Sequence, residues 1–475
     1  MILLYLTGSV AISLFMFLNR NRTVNRILVA AFLCLQWFYT AYAYTHKNIP
    51  DFAFFIPDAL AILMMGTLSI ISIPALAHSY DYIYPERDNA RVRGIYYGAM
   101  VMLIMPLTAA YAASHIAVTW IFVEITTLSA SALIFHRRNA GSIEATWKYI
   151  FVCSISLVFV FIGILFLSIA LGDVREDDMH YATLVRIAPG LNTFWLKLAF
   201  MFIFIGYTAK LGLVPMYTAG IDAKDKAPTP AAALFSSVLM NVGFVGVFRF
   251  YQVVSHTVIH EWVNQVMLTT AFLSVFVAAV YMLKVKNVKR MLAYSSIEHM
   301  GIIILAVAAG GIGYYAAILH LILHSFAKSS LFLQIGHVYK TFHTKNIYSI
   351  GNYFKYNVPG AVFILIGFIC ITAMPPSGMF ISELMVFRSL MEAGYTGLLV
   401  LLLILLTLTI WAMGKNVFKM LFTPVPGGDE TPDERFNPYE TIMQYVLIAL
   451  VIVLGIAPPA EFVDLIRESI ITLSQ

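Results

Sequence analysis

The chain reads as a succession of long apolar runs separated by short polar connections. Runs long enough to cross a bilayer, about 18–25 residues, begin near residues 1, 26, 56, 94, 115, 146, 194, 230, 262, 293, 314, 358, 395 and 440, which predicts about fourteen spans. Positive charge alternates with them. Connections after odd-numbered spans carry some twenty Lys and Arg residues, from Arg20, Arg22 and Arg26 through Arg87, Arg137, Lys224, Lys284 and Lys340 to Arg435. Those after even-numbered spans, with the tail, carry little beyond Lys47, Arg175, Arg186, Arg388 and Arg467. The bias follows the positive-inside rule and predicts that both termini are non-cytoplasmic.

Composition agrees: 60% of the residues are hydrophobic and 12% charged, against roughly 45–50% and about 25% in soluble domains. The net charge of +5 reports topology rather than nucleic-acid binding. The N-terminal run lacks a basic leader and a small-residue cleavage site, so a first span is expected rather than a cleaved signal. Cys34, Cys153 and Cys370 are scattered through apolar segments, expected buried, with no metal or disulfide spacing. The longer polar connections, at 172–192, 341–357 and 427–437, are too short to fold as domains. No nucleophile–base set or glycine-rich phosphate loop is present. The chain is therefore expected to hold no catalytic centre and no cofactor of its own.

Two prolines mark interruptions. Residues 205–238 carry Lys210 deep in an apolar helix, with Pro215 five residues on, then Asp222 and a proline-rich turn. Five spans later, Pro375 and Pro376 interrupt another run ahead of Glu383. Proline removes a backbone donor, and broken helices persist in a bilayer only where protein or water satisfies the freed groups. Two such breaks at corresponding places point to inverted repeats, spans 4–8 and 9–13, with broken helices 7 and 12. The expected divisions are 1–93, 94–254 (first repeat), 255–425 (second repeat) and 426–475, which ends in a short amphipathic tail.

Charged side chains inside spans are costly, about 2.5–3.5 kcal/mol for a lysine on insertion scales, and so point to function. Glu124 in the fifth span suits either a helix-packing hydrogen bond or a pair with Lys210. Glu144 and Lys148, four apart, suit a surface ion pair or a relay beside Glu124. His320, His324 and Lys328 recur at i, i+4 and i+8 on one helical face, which suits a proton relay or structural hydrogen bonding. A metal there would need a further His or a carboxylate, and none stands at suitable spacing. Glu383 suits an interfacial position or the end of the path.

Several stretches together resemble one family, the antiporter-like membrane subunits of respiratory complex I, multisubunit Na⁺/H⁺ antiporters and membrane-bound hydrogenases. They are KLGLVP at 210–215, APTPAAA at 227–233, VKRMLAYSSIEHMG at 288–301, the His320–Phe332 helix and MPPSGMFISE at 374–383. AYSSIEHMG and PPSGMFISE look most like the F-type subunit of hydrogenase-4. The resemblance implies a fold of fourteen helices and a hydrated mid-membrane axis through Glu124, Lys148, Lys210, Lys328 and Glu383. It also implies a bacterial or archaeal cytoplasmic membrane, neighbouring membrane subunits and a peripheral redox arm. That arm would carry iron–sulfur clusters and a NiFe centre. Two departures stand out. A basic residue common in the eighth span of relatives is replaced here by Ser236 or Asn241, so either water on Ser236, Ser237 and Asn241 bridges the gap or coupling is weak. The usual Trp-Leu-Pro-Asp after the first break reads Gly220-Ile221-Asp222, keeping only the acid. The function implied is proton or Na⁺ translocation in a redox-driven complex. Ion-gradient-driven antiport, inorganic-carbon uptake and a non-conducting scaffold are the alternatives.

Overall fold

Helix starts fall where polar loop residues meet apolar runs. The side chains of Asn21, Asn139, Asn192, Asn287 and Asn357 each accept a first-turn N–H, satisfying donors that a helix cannot pair internally. A computed structural model of the protein describes residues 1–83, 90–172, 179–424 and 441–473, the side chain of Asp81 excepted. Arg87, Arg175, Arg435 and the connection at 427–437 lie outside the described residues.

The helices in order are α1 (Ile2–Leu18), α2 (Arg22–Thr45), α3 (Ala59–Ile83), α4 (Ala90–Ala112), α5 (Ile116–Ile134), α6 (Ala140–Leu171) and the short α7 (Tyr181–Ile187). Then come α8 (Thr193–Leu211), α9 (Thr218–Lys226), α10 (Thr229–Phe235), α11 (Val238–Val254), α12 (His260–Met282), α13 (Val288–Ala309) and α14 (Ile312–Phe342). The last are α15 (Tyr353–Tyr356), α16 (Val358–Ile371), α17 (Gly378–Glu392), α18 (Thr396–Phe422), α19 (Ile442–Ile456) and α20 (Ala460–Ser469). Among the described residues the chain is all helical, with no extended strand beyond isolated bridges. Among the described residues eleven helical stretches, with α10 and α11 counted as one, are long and apolar enough to cross a membrane, or twelve if the pair α19–α20, bent by 73°, counts as one span. The chain is a multi-pass membrane protein. Two expected spans, α1 and α16, are shorter apolar helices.

The centre of the bundle is α14, 31 residues and about 46 Å long at 1.5 Å per residue. It packs against α3, α10, α13, α16, α17 and α19, and its apolar window is wholly buried. The rim looks different. On α6, Trp147, Phe151, Ile155 and Val158 are exposed, as are Val400, Ile404 and Trp411 on α18. Apolar outward faces of this kind suit hydrocarbon or a neighbouring subunit. Cys153 and Cys370 are buried as expected, but Cys34 is exposed. It lies on the outer face of α2 beside exposed Trp37 and Phe38, since an apolar span needs no core when its outside is apolar too.

Both proline breaks are satisfied by protein. After α8, Gly212 adopts φ +75°, and the freed amide of Val214 donates to Ser274 Oγ of α12 at 3.0 Å. Between α16 and α17, Ser377 Oγ donates to the Cys370 carbonyl at 3.3 Å and accepts from the Met379 amide at 3.1 Å. A third interruption separates α10 from α11, where the Ser236 and Ser237 hydroxyls donate back to the carbonyls of Ala232 and Ala233. The amphipathic tail is also anchored. α20 buries Ile466, while Glu468 pairs with Lys47 at 2.6 Å.

Candidate functional site

The first break delivers Lys210 to the interior. The lysine lies in the last turn of α8, 4% exposed, where a glycine on α11 lets the helices meet. A Cβ on Gly243 would stand 2.9 Å from Lys210 Cβ and 2.9 Å from the Leu211 amide. Lys210 Nζ donates to Thr126 Oγ1 at 3.0 Å and to the Tyr149 hydroxyl at 3.5 Å. Glu124 accepts instead from Ser154 at 3.2 Å and Thr127 at 3.4 Å. The expected pair is therefore not in contact: α5 presents Thr126 to the lysine, while Glu124 turns toward α6.

Lys148 is not part of this group. It is half exposed and pairs with Glu144 at 2.5 Å, with Asp222 at 3.7 Å. One residue further along α6, about 100° around the helix, Tyr149 points inward to Lys210. Of the two readings the sequence leaves open for Glu144 and Lys148, the structure shows the surface ion pair.

Lys224 is a further buried lysine, set against the eighth span. The sequence assigns it to a charged connection, yet on α9 it is 5% exposed, with Nζ 3.1 Å from Met240 Sδ of α11. A cavity of about 20 Å³ touches both Lys210 and Lys224, which is enough for one water. Lys224 also stands within electrostatic range of His324 and Lys328. The expected water-bridging residues each bond protein directly. Ser237 accepts directly from Ser329 at 2.9 Å, Asn241 donates to Ser325 at 2.9 Å, and Ser236 bonds its own helix.

On α14, His320, His324 and Lys328 are fully buried on one face. Lys328 donates to the Leu292 carbonyl at 2.9 Å and to Ser295 Oγ, both on α13. His320 Nδ1 meets Ser382 Oγ of α17 at 2.8 Å, and its Nε2 meets Nδ1 of His299 at 3.1 Å. His324 lies with its ring centre 5.2 Å from that of His299, and neither of its nitrogens has a hydrogen-bond partner among the described residues. Buried polar atoms normally find a partner in protein or water.

Glu383, on α17, lies 3.9 Å from His299 Nδ1. It shares a cavity of about 200 Å³ with Glu298, His299, Ser295 and Thr409, room for several waters. Glu298 accepts from Thr409 at 2.5 Å. Glu298 and His299 were quoted in the sequence only as part of a motif. Two adjacent titratable residues inside an apolar span are the same signal that marked Lys210 and Glu383. The carboxylate and further histidine that sequence spacing lacked thus arrive from α17 and α13.

At the loop end of α9, Asp225 is buried and gathers Lys345 at 3.3 Å, Arg290 at 3.5 Å and Lys226 at 3.6 Å, with Asn287 donating at 2.9 Å. Asp222 pairs with Arg290 as well. This cluster ties α9 to the start of α13 and to the connection after α14. Arg249 has a similar anchoring role on α11, donating to Asp58 at 3.0 Å and to the Tyr111 carbonyl at 2.8 Å.

Interrupted helices around a buried file of lysine, histidine and carboxylate side chains define the class: an integral membrane protein organised about an intramembrane polar axis. The chain belongs to the family described as NADH:quinone oxidoreductase/Mrp antiporter, TM, which matches residues 113–409. It is similar to the hydrogenase-4 component F homolog of Methylacidiphilum infernorum (isolate V4), 28% identical over 396 residues, which cover 81% of this chain and 82% of that relative. Among solved structures it is similar to a chain of the membrane-bound sulfane sulfur reductase, an archaeal respiratory membrane complex. That TM-score is 0.88 at 22% identity, over 100% of this chain and 98% of the other. A chain of the Mrp complex from Dietzia sp. DQ12-45-1b gives a TM-score of 0.82 at 17% identity, covering 99% and 95%. At those identities the structural likeness is one of fold.

Proposed function

We propose that the protein is an antiporter-like subunit that moves protons, or Na⁺, within a redox-driven membrane complex. The observation that carries this reading is the buried file from Lys210 past Lys224 to Lys328, His324, His320, His299 and Glu383, groups too costly to keep in a bilayer without use. Family membership supports it, as does similarity to a hydrogenase-4 component. In this reading Glu124 and Lys210 meet and part as a neighbouring subunit changes charge, and the arrangement with Lys210 on Thr126 is the parted one. Lys210 exchanges its proton through water with Lys224, the α14 face carries it on, and Glu383 passes it to the cavity. Lys148 lies outside the route. Moving one charge across 100 mV stores about 2.3 kcal/mol. A buried group shifting by 3–5 pKa units, at about 1.36 kcal/mol each, supplies more than that.

The finer architecture belongs to the same proposal. Fourteen spans with non-cytoplasmic termini in the cytoplasmic membrane accommodate the short helices α1 and α16 as membrane elements. Inverted repeats at 94–254 and 255–425, between the flanking parts 1–93 and 426–475, would place the breaks at Pro215 and at Pro375–Pro376 at equivalent points. α4 packs on α5 as α12 packs on α13, and α5 on α6 as α13 on α14, which supports that division. Electron-carrying iron–sulfur and NiFe centres are assigned to partner subunits. The test is ion translocation by the parent complex in sealed vesicles, wild type against Lys210→Ala and Glu124→Gln. Pumping should fall while the complex still assembles; unchanged pumping would make the subunit a scaffold.

A further inference from the structure

We propose that His299, His320 and Glu383 form a binding site for a divalent transition metal, with zinc the best match. Their ligand atoms come from three helices, α13, α14 and α17, and lie within 4.8 Å of one another. His299 Nδ1 and His320 Nε2 are 3.1 Å apart, and Glu383 Oε1 is 3.9 Å from His299 Nδ1. A tetrahedral zinc with ligands at about 2.0–2.1 Å separates neighbouring ligand atoms by about 3.3 Å. The two separations straddle that value. Two histidines and one carboxylate are a known donor set for four-coordinate zinc that keeps one position open.

The surroundings supply what such a site needs. His320 turns its other nitrogen, Nδ1, to Ser382 Oγ at 2.8 Å; that hydroxyl donates to the Met379 carbonyl, so Nδ1 supplies the proton and the Nε2 lone pair is directed at His299 and a metal. Outer hydrogen bonds of this kind orient metal-binding imidazoles. The fourth position would face the 200 Å³ cavity, which His299 and Glu383 both line. Glu298, which lines the same cavity, adds a second carboxylate to offset a dication, while Lys328 reaches Ser295 of that cavity with a competing positive charge.

The ion would use the lone pairs through which a proton would pass, so metal occupancy and relay exclude each other in time. Metal content is measured without transport, so this proposal and the proposed function fail independently. The experiment takes the full-length chain, free of any polyhistidine tag, in lipid nanodiscs, stripped with chelator, incubated with Zn²⁺ and freed of excess. About one zinc per chain should be retained, with X-ray absorption showing N/O ligands at about 2.0–2.1 Å. Co²⁺ in its place should give the visible absorption of a tetrahedral site. His299→Ala, His320→Ala and Glu383→Gln should each lower retained zinc at least tenfold. Two further variants guard against misfolding. His320→Cys should restore binding and add a thiolate-to-cobalt band, and Ser382→Ala, with all three ligands intact, should weaken binding about 10–100-fold. No zinc on the wild type, or equal zinc on the wild type and the three ligand variants, overturns the proposal.

Discussion

Lys224 Nζ lies 3.1 Å from Met240 Sδ, so a lysine from the short helix after the first break is buried against the part of the eighth span where Ser236 and Asn241 stand. A thioether is a weak acceptor and cannot replace the hydration that the ammonium has lost. Lys224→Ala should leave assembly intact and lower translocation about ten- to a hundredfold, within reach of what one proton-transfer group contributes. Rates in vesicles, set against the amount of assembled complex, decide this. An unchanged rate would remove Lys224 from the route.

Tyr149 and Lys148 are adjacent in sequence and opposed in setting. Tyr149→Phe removes one of the two hydrogen-bond acceptors of Lys210 and should slow translocation severalfold. Lys148→Ala removes a solvent-facing pair with Glu144 and should leave the rate within about twofold, as expected of exposed ion pairs. If the order of the two effects is reversed, the polar file has been traced through the wrong face of α6.

Gly243 sets the distance between α8 and α11. With Lys210 Cβ and the Leu211 amide both 2.9 Å from where a Cβ would stand, Gly243→Ala should cost about 1–3 kcal/mol of overpacking. Displacing Lys210 should also lower transport. Thermal unfolding in detergent and vesicle rates should fall together.

Asp225 holds three cations at once. Asp225→Ala leaves them facing one another near α9. Losing one partner of a buried pair costs about 3–5 kcal/mol. Arg290 and Lys226 are each more than a third exposed, which reduces this to about 2 kcal/mol. A lowered unfolding temperature measures it, with Lys345→Met expected to recover part of the loss.

Most of the architecture was legible because hydrophobic length and proline positions are local properties. Pro215, Pro375 and Pro376 each lie between helices, and His320, His324 and Lys328 share a buried face because i+4 spacing in a helix guarantees it. What stayed hidden depends on which way a side chain turns. Glu124 and Lys210 sit on neighbouring helices but bond different partners. Lys224 counts as a loop charge until α9 folds it inward. Ser237 and Asn241 look like water sites until α14 meets them with Ser329 and Ser325. The meeting of His299 with His320 and Glu383 joins residues 21 to 84 positions apart along the chain, beyond any spacing rule.

The start of α17 rests on α19 with almost nothing between them. A Cβ on Gly378 would stand 2.1 Å from the Val451 carbonyl, and one on Gly455 would stand 2.0 Å from Gly378 Cα. Side chains usually act as shock absorbers between helices, and here there are none. The two backbones therefore fix each other's position at this point, and Glu383 stands little more than one turn further along α17, so the placement of that carboxylate is tied directly to that of α19.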